Sequence, residues 1–126
     1  MTPNRFGALA AVLGGLGVAA GAFGAHGLKD ALSPARLANW HTAADYQLVH
    51  ALALVATALL LAWRPSRAAL VAAWSFTAGV ALFSGSLYAL ALTDTPALGA
   101  ITPAGGVAFL VGWGALARAF GSGRAA

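Results

Sequence analysis

The sequence predicts an all-α, polytopic membrane protein, a bundle of four transmembrane helices with a short interfacial helix in the first connection. Two observations of composition and one of pattern predict it. Of the 126 residues, 60% are hydrophobic before the 16 glycines are counted, and only 8% are charged. An ordinary soluble domain is roughly 45–50% apolar with glycine included and about 25% charged. So few charges cannot solvate the surface of a soluble globule of this size. That excludes a soluble enzyme domain, a disordered tail and a nucleic-acid module. The pattern is four separate apolar runs of roughly 17–25 residues, which suits a hydrocarbon core ~30 Å thick crossed at ~1.5 Å per residue. Helices are expected because an open strand in lipid leaves backbone groups unpaired. The runs are also continuous, unlike the alternating segments of a β-barrel.

The first run covers residues 6–25 and carries no charge. Read as a cleaved signal peptide, a cut after Ala25 would set bulky Phe23 at the −3 position, where a small residue is wanted. A cut after Gly24, with Ala22 at −3, is the remaining processing alternative; the run is taken as a span. In the connection 26–42, Ser33 reads as a helix N-cap and Pro34 as the first helical residue. Pro34 to about Trp40 is therefore expected as the interfacial helix, with Trp40 at the headgroup level. The second run, 43–63, holds Asp45 and His50 in its first third. A tight Arg64-Pro65-Ser66-Arg67 connection leads to the uncharged third run, 68–92. Pro96, Gly99 and Pro103 break the next connection. The fourth run, 104–120, has Arg118 at its exit. Residues 1–126 read as a single membrane domain.

The net charge of +4 is not a nucleic-acid signal. The basic residues stand at the ends of apolar runs and form no stripe. Four spans put the N-terminus, the 64–67 connection and the C-terminus on one side, with Arg5, Arg64, Arg67, Arg118 and Arg124. Lys29 and Arg36 fall on the other. The positive-inside rule then sets both termini in the cytoplasm and the 26–42 connection outside. The chain has no Cys, so no disulfide or thiolate metal site can form.

In lipid, small residues that let helices approach do more than hydrophobic burial to hold spans together. Gly7, Ala10, Gly14, Gly17, Gly21 and Gly24 step by three and four and form one helix seam, with Gly17 and Gly21 as a GxxxG pair. Gly105, Ala108, Gly112, Ala115 and Ala119 repeat the device, with Trp113 facing elsewhere.

Polar side chains inside a membrane are functional candidates by default. Tyr46 and His50 share a face of the second span with Thr42, and Gln47 lies beside them. Ser84, Ser86 and Tyr88 cluster on the third. His26 and Thr102, with His41, Asp45 and Asp94, sit nearer the outer interface. His50 lies ~10 Å and Ser84 ~12 Å inside the outer ends of their spans. The matching depths predict that His50 meets the Ser84–Tyr88 cluster. Three uses compete: helix-to-helix hydrogen bonds, a pocket for a small molecule, ion or lipid headgroup, and a metal site of His26, His50 and Asp45 or His41. The last is weak, because His41 and His50 are ~13 Å apart along a continuous helix. An Asp45–His41 pair reads as an interfacial ion pair. No HExxH or GxSxG pattern is present, and no metal, cofactor or catalytic residue is expected.

The segment from Gly21 to Lys29 (GAFGAHGLK), Trp40 to Ala43 (WHTA), Tyr46-Gln47 and His50 to Ala53 (HALA) resemble the signature of a family of small bacterial inner-membrane proteins. It is known as domain-of-unknown-function family 423 or uncharacterised protein family 0382, with transmembrane protein 256-like relatives in eukaryotes. Phe83 to Tyr88 and Ile101 to Gly106 resemble its later motifs. The resemblance spans nearly the whole chain. It implies four spans in the cell's inner membrane and no established activity, so no catalytic role is carried over. The sequence favours a small scaffold or accessory subunit in the lipid bilayer, joined to a membrane-protein partner or a second copy of itself. The alternative is binding or transport of a small molecule, ion or lipid through the outer polar cluster.

Overall fold

The computed structural model describes residues 1–122; Arg124, counted above among the basic residues, lies outside them. Helix α1 covers Pro3–His26 and α2 covers Pro34–Trp63. The third span is composite: α3, Arg67–Gly79, passes through a π-helical turn, Val80–Ser84, into α4, Gly85–Thr93. A 3₁₀ turn, Pro96–Ala100, precedes α5, Thr102–Gly121. The described residues are thus all-helical, with four spans long and apolar enough to cross a membrane.

Short polar residues start α1, α2 and α3. Thr2, Ser33 and Ser66 accept hydrogen bonds from the backbone N–H of Arg5, Arg36 and Ala69, three residues on in each case. Proline occupies the first turn of α1 and α2, where no N–H partner is needed. The third span ends at Asp94, whose φ of 51° is in the left-handed region that Asp tolerates.

The expected interfacial helix is not a separate element. Its start at Pro34 is the start of α2, which runs unbroken for 30 residues. No glycine or proline interrupts residues 35–63, so nothing ends the helix at Trp40. Tertiary contacts also hold this first part in line. The Arg36 guanidinium donates from Nε to the Ala91 carbonyl (2.7 Å) and from Nη2 to that of Leu92 (3.2 Å). These carbonyls end α4 and have no intrahelical partner of their own.

The spans form an open arrangement. α1 packs on α2, and the third span packs on both α2 and α5, while α2 and α5 make no extensive backbone approach to each other. Phe6, Leu54 and Phe76, wholly buried, centre the main core. Phe6 meets the Trp74 ring at 5.3 Å, and Arg64 Nη2 reaches the Phe120 carbonyl at 3.5 Å. The start of α1 and the ends of α2 and α5 therefore share one end of the bundle, the terminal end. The connections 27–33 and 94–101 lie at the other, the loop end.

The α1 glycines meet α2 unevenly. A Cβ at Gly7 or Gly14 would sit 3.9 Å from Ala58 or Ala51, an ordinary contact. One at Gly17 would lie 2.9 Å from Leu48, and one at Gly24 only 2.5 Å from Trp40. Gly21, placed on the seam from the sequence, has nothing within 4 Å. A seven-residue step from Gly17 to Gly24 drifts only ~20° around the helix, whereas the four-residue step to Gly21 turns it ~40° off the contact line.

Candidate functional site

The glycines that allow close approach also open carbonyls to side chains from α2. Trp40 Nε1 donates to the Ala20 carbonyl at 2.8 Å, one turn before Gly24. Gln47 Nε2 donates to the Leu13 carbonyl at 2.8 Å, one turn before Gly17. A Cβ at either glycine would crowd the side chains coming from α2.

The polar side chains in the loop-end half link one span to the next. Gln47 Oε1 accepts from the Tyr88 hydroxyl at 2.8 Å, so Gln47 ties α1, α2 and α4 together. Ser84 donates to the Ala43 carbonyl of α2 at 2.7 Å. Ser86 and Thr102 share a 2.6 Å hydrogen bond between α4 and α5, and Ser86 donates to the Phe83 carbonyl at 3.0 Å. With that donation, Thr102 supplies the proton of the shared bond.

His50 departs from expectation. Its partner is the fourth span, not the Ser84–Tyr88 cluster. Trp113 Nε1 donates to His50 Nε2 at 3.0 Å, and His50 Nδ1 lies 2.7 Å from the Tyr46 carbonyl. An indole only donates and a carbonyl only accepts, so the imidazole is neutral with its proton on Nδ1. The ring also stacks on Phe109, with centroids 3.5 Å apart and planes 9° apart. Trp113 was expected to face away from the packing. Its ring is half-exposed, yet its N–H reaches inward. The sequence did carry a signal for this: Trp113 lies about as deep as His50, and a buried indole N–H seeks an acceptor.

His26 is exposed at the end of α1 and joins none of these bonds. Tyr46 is exposed, its ring stacked on Phe83 at 4.6 Å. The sequence-expected Asp45–His41 ion pair is not formed; among the described residues the ion pair at 4.0 Å is Arg36–Asp94. No three His, Cys, Asp or Glu side chains converge on a common point among the described residues.

Where α2 and α5 stand apart, a lateral groove of about 730 Å³ remains. His50, Phe83 and Phe109 line it, with Tyr46 and Val49 from α2 and Gly106, Leu110 and Trp113 from α5. Asp45 and Pro103 lie at its loop end.

Four apolar spans, joined by internal hydrogen bonds and exposing large hydrophobic side chains outward, define a polytopic helical membrane protein. The family model described as Protein of unknown function (DUF423) matches residues 20–106. The chain belongs to this family. It is 46% identical over 99 residues to the UPF0382 membrane protein YwdK of Bacillus subtilis, covering 78% of this chain and 80% of that one. It is 43% identical over 119 residues to a UPF0382 membrane protein of Haemophilus influenzae, covering 94% of each. No solved structure matches.

Proposed function

We propose that the chain is a non-enzymatic membrane scaffold or accessory subunit of the bacterial inner membrane. One observation carries this reading. The five buried polar side chains among the described residues, Gln47, His50, Thr57, Ser84 and Ser86, all bond to groups of the same chain. These five buried side chains are spent within the bundle and offer no free polar group to a substrate. What remains for interaction is the lateral surface. The most apolar stretch of α1 is only 17% buried, against 50% for α2. Such a surface suits a helix of another membrane protein or of a second copy. In-membrane cross-linking followed by native mass spectrometry in mild detergent tests this. A stoichiometric protein partner or dimer is expected, unchanged in the paired variant Ser86→Ala/Thr102→Val. A lone monomer under both conditions overturns it.

Transport through the bundle is the second reading, and the cytoplasmic half offers it little. Thr57, deep in that half, is wholly buried and bonded to the Ala53 carbonyl. Labelling of a Thr57→Cys variant by a water-soluble maleimide in intact membranes would favour transport.

The same reading sets both termini in the cytoplasm, from the charge count. A periplasm-active reporter fused to the C-terminus is expected to be silent, while fusions within residues 33–39 are active. An active C-terminal fusion overturns the orientation.

A further inference from the structure

Beyond the scaffold reading, we propose that the α2–α5 groove is a lipid site. One acyl chain of a phosphatidylethanolamine lies along the aromatic floor, and its ammonium headgroup rests against Asp45.

The occupant is apolar over most of its length. The floor is made of stacked rings, Tyr46 on Phe83 and His50 on Phe109. Both nitrogens of His50 and the N–H of Trp113 are already bonded, which leaves the exposed Tyr46 hydroxyl as the polar atom of these rings open to a ligand. A water-soluble ligand would have to leave most of its own polar groups unpaired there. The rims, Val49, Val107 and Leu110, are exposed, and all lie within spans, so the groove opens sideways toward the acyl region of the membrane.

Its dimensions fit one chain. From Pro103 to Trp113 the groove follows ten residues of α5, or ~15 Å at ~1.5 Å per residue. That is half of a ~30 Å hydrocarbon core, the depth of one leaflet. The groove offers about 730 Å³, within the usual range for small-ligand sites.

The headgroup is chosen by charge. Asp45 is the carboxylate on the groove, exposed and at its loop end. It forms no ion pair among the described residues, and Arg36, on the same end of α2, is held by the carbonyls of Ala91 and Leu92. An anionic headgroup would be repelled by Asp45, while a primary ammonium is attracted and can donate three hydrogen bonds.

The test uses the full chain in nanodiscs of equimolar phosphatidylethanolamine and phosphatidylglycerol, read by native mass spectrometry. Wild type is expected to retain one phosphatidylethanolamine, favoured about fivefold over phosphatidylglycerol, as suits one exposed charge pair. Asp45→Asn should bring the ratio near one while lipid is still retained. Gly106→Leu should empty the groove. Should that variant fail to fold, Val49→Phe fills the groove from the opposite rim, at a residue already 53% exposed. Equal retention of both lipids by wild type, a preference for phosphatidylglycerol, or lipid retention unchanged by groove filling overturns the proposal. None of these outcomes bears on whether a protein partner is found.

Discussion

Gly105→Ala is expected to unseat the fourth span from the third and to lower stability by about 3 kcal/mol, at the top of the overpacking range. An added Cβ would lie 2.3 Å from the backbone nitrogen of Phe83 and 2.7 Å from its Cα. The obstacle is main chain, so no rotamer change relieves it. The helices must part, and the contacts around Phe83, Phe109 and the Ser86–Thr102 hydrogen bond loosen together. Thermal unfolding in mild detergent measures this. Gly114→Ala is the control, because nothing lies within 4 Å of that position. It should be neutral or slightly stabilising, since Ala is the better helix former. Equal melting temperatures for the two variants would show that α5 does not approach Phe83 this closely.

Gln47→Leu is expected to cost about 1–2 kcal/mol, a large effect for one hydrogen-bonding side chain in a membrane. The change removes the bond to the Leu13 carbonyl and strands the Tyr88 hydroxyl, so α1 and α4 lose their common link through α2. Tyr88→Phe alone leaves the Gln47 carbonyl oxygen without its donor. The double variant strands neither group of that pair, so it should be less destabilised than the sum of the singles, by about 1 kcal/mol. Additive losses in thermal unfolding would mean that the 2.8 Å contact contributes nothing.

How much of this was legible in the sequence depends on the range of the signal. The four apolar spans follow from run length and charge, which are local. The helix starts at Ser33-Pro34 and Ser66 were equally readable, because a cap is made by residues three apart. Over residues 34–40 the sequence carries a start signal at Ser33-Pro34 but no stop signal, so the helix that begins there runs on to Trp63. Depth along each span was also readable, but depth does not name a neighbour. Ser84 and Trp113 both lie at the level of His50, and only the packing of three spans decides that the imidazole meets the indole. The groove was out of reach for the same reason. It exists because α2 and α5 each prefer the third span, a property of the whole bundle that no single segment encodes.

The π-helical turn at Val80–Ser84 makes the third span a screw cut in two phases. A π turn carries one residue more than the α-helical turn it replaces, and that residue offsets everything after it by about 100° of rotation. Before the offset, Ala72, Ala73 and Phe76 face the core; at its end Ser84 meets Ala43, and beyond it Tyr88 meets Gln47. The chain's length in this segment is then a coded quantity. Loss of one codon here would restore a regular helix and swing the later polar residues off their partners together. The insertion or deletion of a residue should therefore be tolerated in the connection at 94–101 long before it is tolerated inside the third span.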